Sequence, residues 1–407
     1  MRRAKTWLPA LPALALAVLS LGACVSPEQS QGGGNANANG GGGATAGGGY
    51  QRKTKKRGET VRIGFSMDTL KEERWQRDKQ LVEARAREVG ADINVQVANS
   101  DDATQTKQCD NLLSLGMDVL IVAPHNGEIA ASIVEAAHRQ GVPVISYDRL
   151  IRNSDVDLYV SHQVERMGEM QARYALERVP KGNYVLVGGA PTDNNAMLMR
   201  KGQMNILKPA VDRGDVKIIS DQYAKDWRAD EALRITEDAI TKTNGNIQAV
   251  VASNDGTAGG SISAIEAAKL TGKVVVTGQD AQLDAVQRIA AGTQSMTIYK
   301  PIKPLADSAV DNALKLAYGE QLSAPDRIAN GKIDVPSILH EPTAVDKNNL
   351  MQTVVRDGYH KLEDVYKDVP RDQWPKVSSA PKGSAGSTFA AALALLIGGL
   401  GLALKLR

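Results

Sequence analysis

Cysteine is nearly absent from this chain: 407 residues contain two, Cys24 and Cys109. At most one disulfide can form, which excludes the small disulfide-stapled scaffolds. Cys109 falls in a helical pattern with Leu112, Leu113 and Leu115 and reads as a small buried residue rather than a reactive thiol. The five histidines are scattered, and none sits at zinc-like spacing from another histidine or cysteine. Charge of one sign is lacking too. The formal net charge is +3 and shrinks towards zero once the basic N-terminal leader is set aside, so no basic footprint for nucleic acid is present. Aromatics make up 4% of the chain, with two phenylalanines and four tryptophans. Trp7 lies in the leader and Trp374 in the tail, which leaves Trp75 and Trp227 as the indoles of the folded region.

What the ends do contain is a set of addresses. Residues 1–23 read as a secretory signal peptide, with Arg2, Arg3 and Lys5 before the mostly apolar run Trp7–Leu21. Leu21-Gly22-Ala23-Cys24 resembles the lipobox of bacterial lipoproteins, which implies cleavage before Cys24, a lipid on its sulfur, and attachment to the membrane outside the cytoplasm. With Cys24 lipidated, Cys109 has no disulfide partner. Residues 24–60 read as a tether, because Gln31–Gly49 is dominated by Gly, Asn and Ala and has almost no apolar surface to bury. The basic run Arg52, Lys53, Lys55, Lys56, Arg57 reads as a solvated domain edge, with contact to anionic headgroups as the alternative. At the other end, 361–387 reads as a tail. The apolar segment 388–407 is a borderline membrane span, with a sorting tail as the competing reading.

Between the ends lie about 300 residues, enough for two lobes each with its own core. Apolar strand-like runs alternate with amphipathic helices: Val61–Phe65, Ile93–Ala98, Val119–Ala123 and Val142–Tyr147 form one series. Tyr184–Gly188, Val216–Asp221, Ala249–Ala252 and Val274–Gly278 form a second. Nearly continuous apolar strands interleaved with helices imply parallel sheets covered on both faces. The expected fold is therefore α/β, with two doubly wound Rossmann-like lobes. The first spans 61–160 and is completed by about 293–325. The second spans 161–292 and is completed by about 326–360.

In open parallel sheets, ligands bind beyond the carboxyl ends of the strands. Those ends hold Asp68 and then Arg74-Trp75; Tyr147-Asp148-Arg149; Asp193-Asn194-Asn195; Ser253-Asn254-Asp255; Gln279-Asp280; and Lys300-Pro301. From these, Arg74, Asp148, Arg149, Asn195, Asn254, Asp280 and Lys300 are candidate ligand-binding residues, with Trp75 and Trp227 as stacking platforms. The mixture suits a neutral hydroxylated ring. Carboxylates and amide oxygens accept from hydroxyls, cations and amide nitrogens donate to them, and indoles cover the C–H faces. Three cations against two carboxylates leave little net charge for an anionic ligand. Each position also has a plain structural use. Asp148-Arg149 can cap a helix, Asp193–Asn195 can be turn chemistry, Asn254-Asp255 can start a helix, and each tryptophan can cap a local core.

Several of these stretches occur in one order that resembles the periplasmic-type sugar-binding proteins of ATP-binding-cassette importers. They are ERWQRD (Glu73–Asp78), VISYDRLI (Val144–Ile151), GNYVLVGGAPTDNNA (Gly182–Ala196), AVVASNDGTAGG (Ala249–Gly260), VTGQDAQL (Val276–Leu283) and RIAAGTQSMTIYKPI (Arg288–Ile302). The resemblance runs from about 61 to 360. It implies the periplasmic binding protein type I architecture, with three crossover segments joining the lobes as a hinge. It also implies a monosaccharide ligand, D-xylose foremost, no cofactor, a monomer, and delivery to permease subunits without covalent chemistry. Position by position it implies the same nine contacts. Two places depart from the pattern: Ser161-His162-Gln163-Val164 at the expected crossover, and Tyr223 where tryptophan is usual. Rival readings are an enzyme using Lys300 for a Schiff base, and a sensory receptor that passes occupancy to another chain.

Overall fold

The computed structural model describes residues 50–375. The lipid-anchor assignment at Cys24, the leader and the apolar segment 388–407 lie outside the described residues. Among the described residues, no helix is long and apolar enough to cross a membrane.

The first lobe opens with β1 (Arg62–Met67), α1 (Glu73–Glu88), β2 (Asp92–Val97), α2 (Asp102–Ser114), β3 (Val119–Ala123), α3 (Ala131–Arg139), β4 (Val144–Tyr147) and β5 (Leu158–His162). The second follows with α4 (Val164–Arg178), β6 (Gly182–Gly188), α5 (Asn194–Asp212), β7 (Val216–Tyr223), α6 (Ala229–Lys242), β8 (Ala249–Ala252), α7 (Asp255–Ala267), β9 (Val275–Val276), α8 (Leu283–Ala291) and β10 (Met296–Tyr299). The chain then returns through α9 (Ile302–Ala317), β11 (Asp326–Ala329) and β12 (Asp334–His340) before β13 (Thr343–Asp346).

The first sheet has seven strands in the order β11-β12-β5-β4-β3-β1-β2. The apolar runs make it: Val119–Ala123 is buried along its whole length because helices cover both faces. Trp75, Val82, Ala86, Leu305, Ala309 and Val310 cover one face, and Cys109, Leu112, Ile133 and Val134 the other. The second sheet runs β7-β6-β8-β9. The antiparallel ribbon of β10 and β13 joins its edge: the Ser295 and Ile298 N–H groups donate to the Val276 and Gly278 carbonyls, and the Asp280 N–H donates to the Ile298 carbonyl.

Several assignments differ from the sequence reading. Residues 293–325 were expected to complete the first lobe, but β10 (Met296–Tyr299) lies on the edge of the second sheet, so the return begins only after it. Residues 326–340 were expected in the second lobe, but β12 pairs in parallel with β5 and β11 pairs antiparallel with β12, so both extend the first sheet. β5 was not anticipated. Its five residues, LYVSH, are fully buried, yet they are too short and too polar at one end to stand out. The tether was expected to run to residue 60, but the chain is pinned from Tyr50 onward. The Tyr50 ring stacks on His138 at 3.7 Å, Arg52 pairs with Asp157 at 2.9 Å, and Lys55 pairs with Asp118 at 3.0 Å. The basic run is therefore partly paired to the first lobe. Of the expected tail, Val365 and Tyr366 are buried and Trp374 packs beside them on the second lobe.

The chain crosses between lobes three times, at Gln163, at Lys300-Pro301 and at Glu341-Pro342. The Ser161–Val164 departure thus lies in a crossover, as expected. Tyr223 ends β7, with its ring against Gly188 and 5.5 Å from the Arg200 guanidinium.

In the second lobe α4 and α5 touch through their backbones. A methyl group at Gly168 would overlap the Met199 carbonyl, and one at Gly202 the Glu165 carbonyl. Neither neighbour is a side chain that can turn away. Gly202→Ala should therefore lower stability by about 1–3 kcal/mol, read as a fall in the urea midpoint at unchanged slope. An unchanged midpoint would contradict this packing.

Candidate functional site

Both sheets place their polar strand ends at one seam. In the first sheet, strand order reverses around β1, whose neighbours are β2 and β3. In the second it reverses around β6, between β7 and β8. Crevices form at such switch points because successive helices leave to opposite faces. Arg74 and Trp75 start α1 beyond β1, Asn195 starts α5 beyond β6, and Asn254 caps α7 beyond β8.

All nine residues singled out from the sequence line one cleft, together with Glu72, Asp193 and Gln279. With the lobes together, the cavity left between these side chains is about 30 Å³. A wider groove on the hinge side, lined by Gln76, Gln80, Leu81, Pro301 and Lys303 among others, holds none of the nine.

Charge in the cleft is organised as linked pairs. Arg74 donates to Asp78 at 3.0 and 3.1 Å and to Asp148 at 2.7 Å. Lys300 lies 2.9 Å from Asp280 and 3.8 Å from Asp148. Arg149 spans the seam, 2.7 Å from Asp68 of its own lobe and 2.9 Å from Asp193 of the other. Asn195 donates to the Asp148 carbonyl at 2.9 Å, a second link between lobes. Further out, the Leu283 N–H donates to Glu73 at 2.8 Å, and Arg77 donates to the Tyr359 carbonyl at 2.6 Å. The lobes are closed on each other.

Trp75 and Trp227 enter from opposite lobes, 3% and 8% exposed. The guanidiniums of Arg74 and Arg149 lie 4.3 and 5.1 Å from the Trp75 ring centre. Trp227 donates its indole N–H to Asp193 at 3.2 Å, and its ring sits so close to Gly189 that no side chain fits there. Asn254 serves two ends. Its oxygen accepts from the Thr257 N–H as a capping box, while the residue also lines the cleft. The helix-start use and the site use therefore coexist.

Backbone conformation at the site is costly. Asp148, Trp227 and Asp280 have φ of 60°, 57° and 98°, a region non-glycine residues rarely adopt. Each such residue costs on the order of 1–3 kcal/mol, retained where the surroundings over-determine it.

Two residues that matter here were passed over in the sequence. Asp193, set aside as turn chemistry, joins Arg149 to Trp227 while also capping α5 through the Asn195 N–H. Asp78 lies one helical turn beyond Arg74, a spacing that could have revealed it. The charge count changes as well. Glu72, Asp148, Asp193 and Asp280 face Arg74, Arg149 and Lys300, so carboxylates outnumber cations in the lining.

The carboxylates respond unequally to burial. Burial disfavours the charge on Asp148, but Arg74 and Lys300 outweigh it and hold this carboxyl well below its ordinary value. Burial wins at Asp193 and Asp78, which are raised despite Arg149 and Arg74. At Asp68 burial also opposes the charge, yet Arg149 and His125 bring the pKa down to about 2 from 3.8.

A sequence profile for the periplasmic binding protein domain matches residues 63–321. This chain belongs to the periplasmic binding protein family. Among its relatives are the D-xylose-binding periplasmic proteins of Haemophilus influenzae, 46% identical over 306 residues, and of Escherichia coli, 47% identical over 301. These alignments cover 75% and 74% of this chain and 92% and 91% of the relatives. A carbohydrate transporter solute-binding protein from Chloroflexus aurantiacus, solved in complex with D-glucose, superposes with a TM-score of 0.72 at 30% identity. That superposition covers 75% of this chain and 98% of the other. Periplasmic binding proteins of type I have the two-lobed α/β architecture found here.

Because the depressed Asp68 pKa belongs to the folded state, its stabilisation is complete above pH 4 and is lost as pH falls through about 2. The group is worth about 2 kcal/mol across that window. Denaturant titrations at pH 6 and pH 2 should show the cost of Asp68→Asn shrinking by this amount. An equal cost at both pH values would contradict the assignment.

Proposed function

We propose that this chain is an extracytoplasmic receptor that captures a neutral monosaccharide, D-xylose foremost, between its lobes and delivers it to an ATP-binding-cassette permease. The observation that carries the reading is the convergence of nine residues, from seven strand ends and both lobes, on one buried cleft. Its chemistry matches the ligand. The cations are already engaged by carboxylates, so the cleft offers hydrogen bonds from paired groups rather than free positive charge. Hydroxyls both donate and accept and can join such a network without disturbing its charge. Charge-assisted hydrogen bonds are worth roughly 1.5–3 kcal/mol each, so a handful suffices for tight binding.

Closure is part of the mechanism. Sugar adds contacts to both lobes and shifts the population from an open form to the closed one. The three crossovers act as the hinge, and the permease reads the closed shape. No covalent step is needed, since the Lys300 ammonium is engaged by Asp280 and Asp148. Anchoring through a lipid on Cys24, and action as a monomer, belong to the same proposal.

Calorimetry of the soluble fragment against pentoses and hexoses should give D-xylose binding with Kd of about 1 μM or tighter, roughly −8 kcal/mol. Asp280→Ala and Trp75→Ala should each weaken it by at least about tenfold. Unchanged affinity in both variants would remove the site assignment, and borohydride trapping of sugar on Lys300 would replace the receptor with an enzyme.

A further inference from the structure

Two buried acceptor oxygens in the cleft have no donor among the described residues, Glu72 Oε2 and Gln279 Oε1. Both side chains line the cavity and are 8% and 5% exposed. They stand on opposite lobes, Glu72 just before α1 and Gln279 just after β9. The other end of each is tied down. Glu72 Oε1 lies 3.1 Å from Lys71 Nζ, and that ammonium donates across the seam to the Asp226 carbonyl at 2.5 Å. Gln279 Nε2 donates to Asp280 at 3.2 Å. Each side chain is thus held at one polar atom and unsatisfied at the other. A buried acceptor is costly to leave unpaired, so a bound molecule that supplies a donor gains disproportionately.

Which donor fits follows from the neighbours. Arg74, Arg149 and Lys300 are each already paired with carboxylates, so no lining cation among the described residues is left for an anionic ligand. A carboxylate or phosphate group placed against Glu72 would meet like charge in a site shielded from water. A hydroxyl would donate to it.

We propose that Glu72 and Gln279 are two further ligand-contacting residues, each accepting a hydrogen bond from a hydroxyl of the bound sugar, and that Glu72 makes the cleft reject sugar acids. The inference rests on the receptor reading above and adds the hydroxyl pattern it must recognise. Because the two acceptors sit on different lobes, a ligand satisfies both only when the lobes are closed, so both contacts favour closure.

The test is calorimetry of the folded receptor with D-xylose, its 2-, 3- and 4-deoxy analogues and D-glucuronate, using Glu72→Leu, Glu72→Gln, Gln279→Leu and Lys71→Met. Glu72→Leu and Gln279→Leu should each weaken D-xylose by about 10- to 100-fold. Each loss should vanish for the one deoxy analogue that lacks the donated hydroxyl. Glu72→Gln keeps an acceptor and removes the charge, so D-xylose should lose less than about tenfold while glucuronate gains relative to it. Lys71→Met should cost D-xylose no more than about threefold. The inference falls if both leucine variants bind normally, if their losses are the same for every deoxy analogue, or if Lys71→Met costs as much as Glu72→Leu. A wild-type protein that binds none of the neutral sugars would overturn the receptor reading itself, and this inference with it.

Discussion

Arg149 bridging Asp68 on one lobe and Asp193 on the other is the contact on which the closed molecule turns. All three side chains are almost fully buried, and a buried charge without its partner costs several kcal/mol. Removing Asp193 from Arg149 is therefore tolerable only if water replaces it, which requires the lobes to part. The same holds for Lys300, which sits in a crossover and pairs with Asp280 of the second lobe and Asp148 of the first. Closure and charge pairing are one event. A ligand that adds uncharged hydrogen bonds to both sides tips that balance without creating a charge of its own.

The fold makes this economical because it brings the polar groups to the seam without burying them in either core. Sheet interiors are filled by strands such as Val119–Ala123 and Ala249–Ala252, buried along their whole length. Polarity begins where each strand stops. At three of those stops the chain adopts left-handed backbone at Asp148, Trp227 and Asp280, aiming side chains where regular geometry would not. Among the described residues, other left-handed positions such as Asn99, Asn153, Asn244 and Lys269 also lie outside the strands, so the apolar strands carry none of this strain.

Much of this was legible from local pattern. Every strand of the two expected series is present, and the strand-end rule selected eight residues that share one cleft with Trp227. What escaped was non-local. β5 carries too little signal to be seen alone and is a strand because β4 and β12 flank it. The return of 326–340 to the first sheet depends on which edge was open, a fact no window of sequence contains. Asp193 looked like turn chemistry because it is turn chemistry, capping α5, and its second partner comes from 44 positions earlier at Arg149. Glu72 was hidden in a charged loop, Lys71-Glu72-Glu73, whose other members reach to the opposite lobe at Asp226 and Leu283.

The amino-acid sequence by itself determined the alternation of elements, the apolar interiors of both sheets, and the identity of the groups waiting at the strand ends. These depend on period and composition, which are properties of neighbouring residues. Tertiary structure alone decided which carboxylate meets which cation, which acceptors stay unpaired, and that two half-sites close into one cavity. Those outcomes depend on distances between residues far apart in the chain. In a buried site the energy of a charge or an acceptor is set by the partner that arrives, not by the residue that carries it.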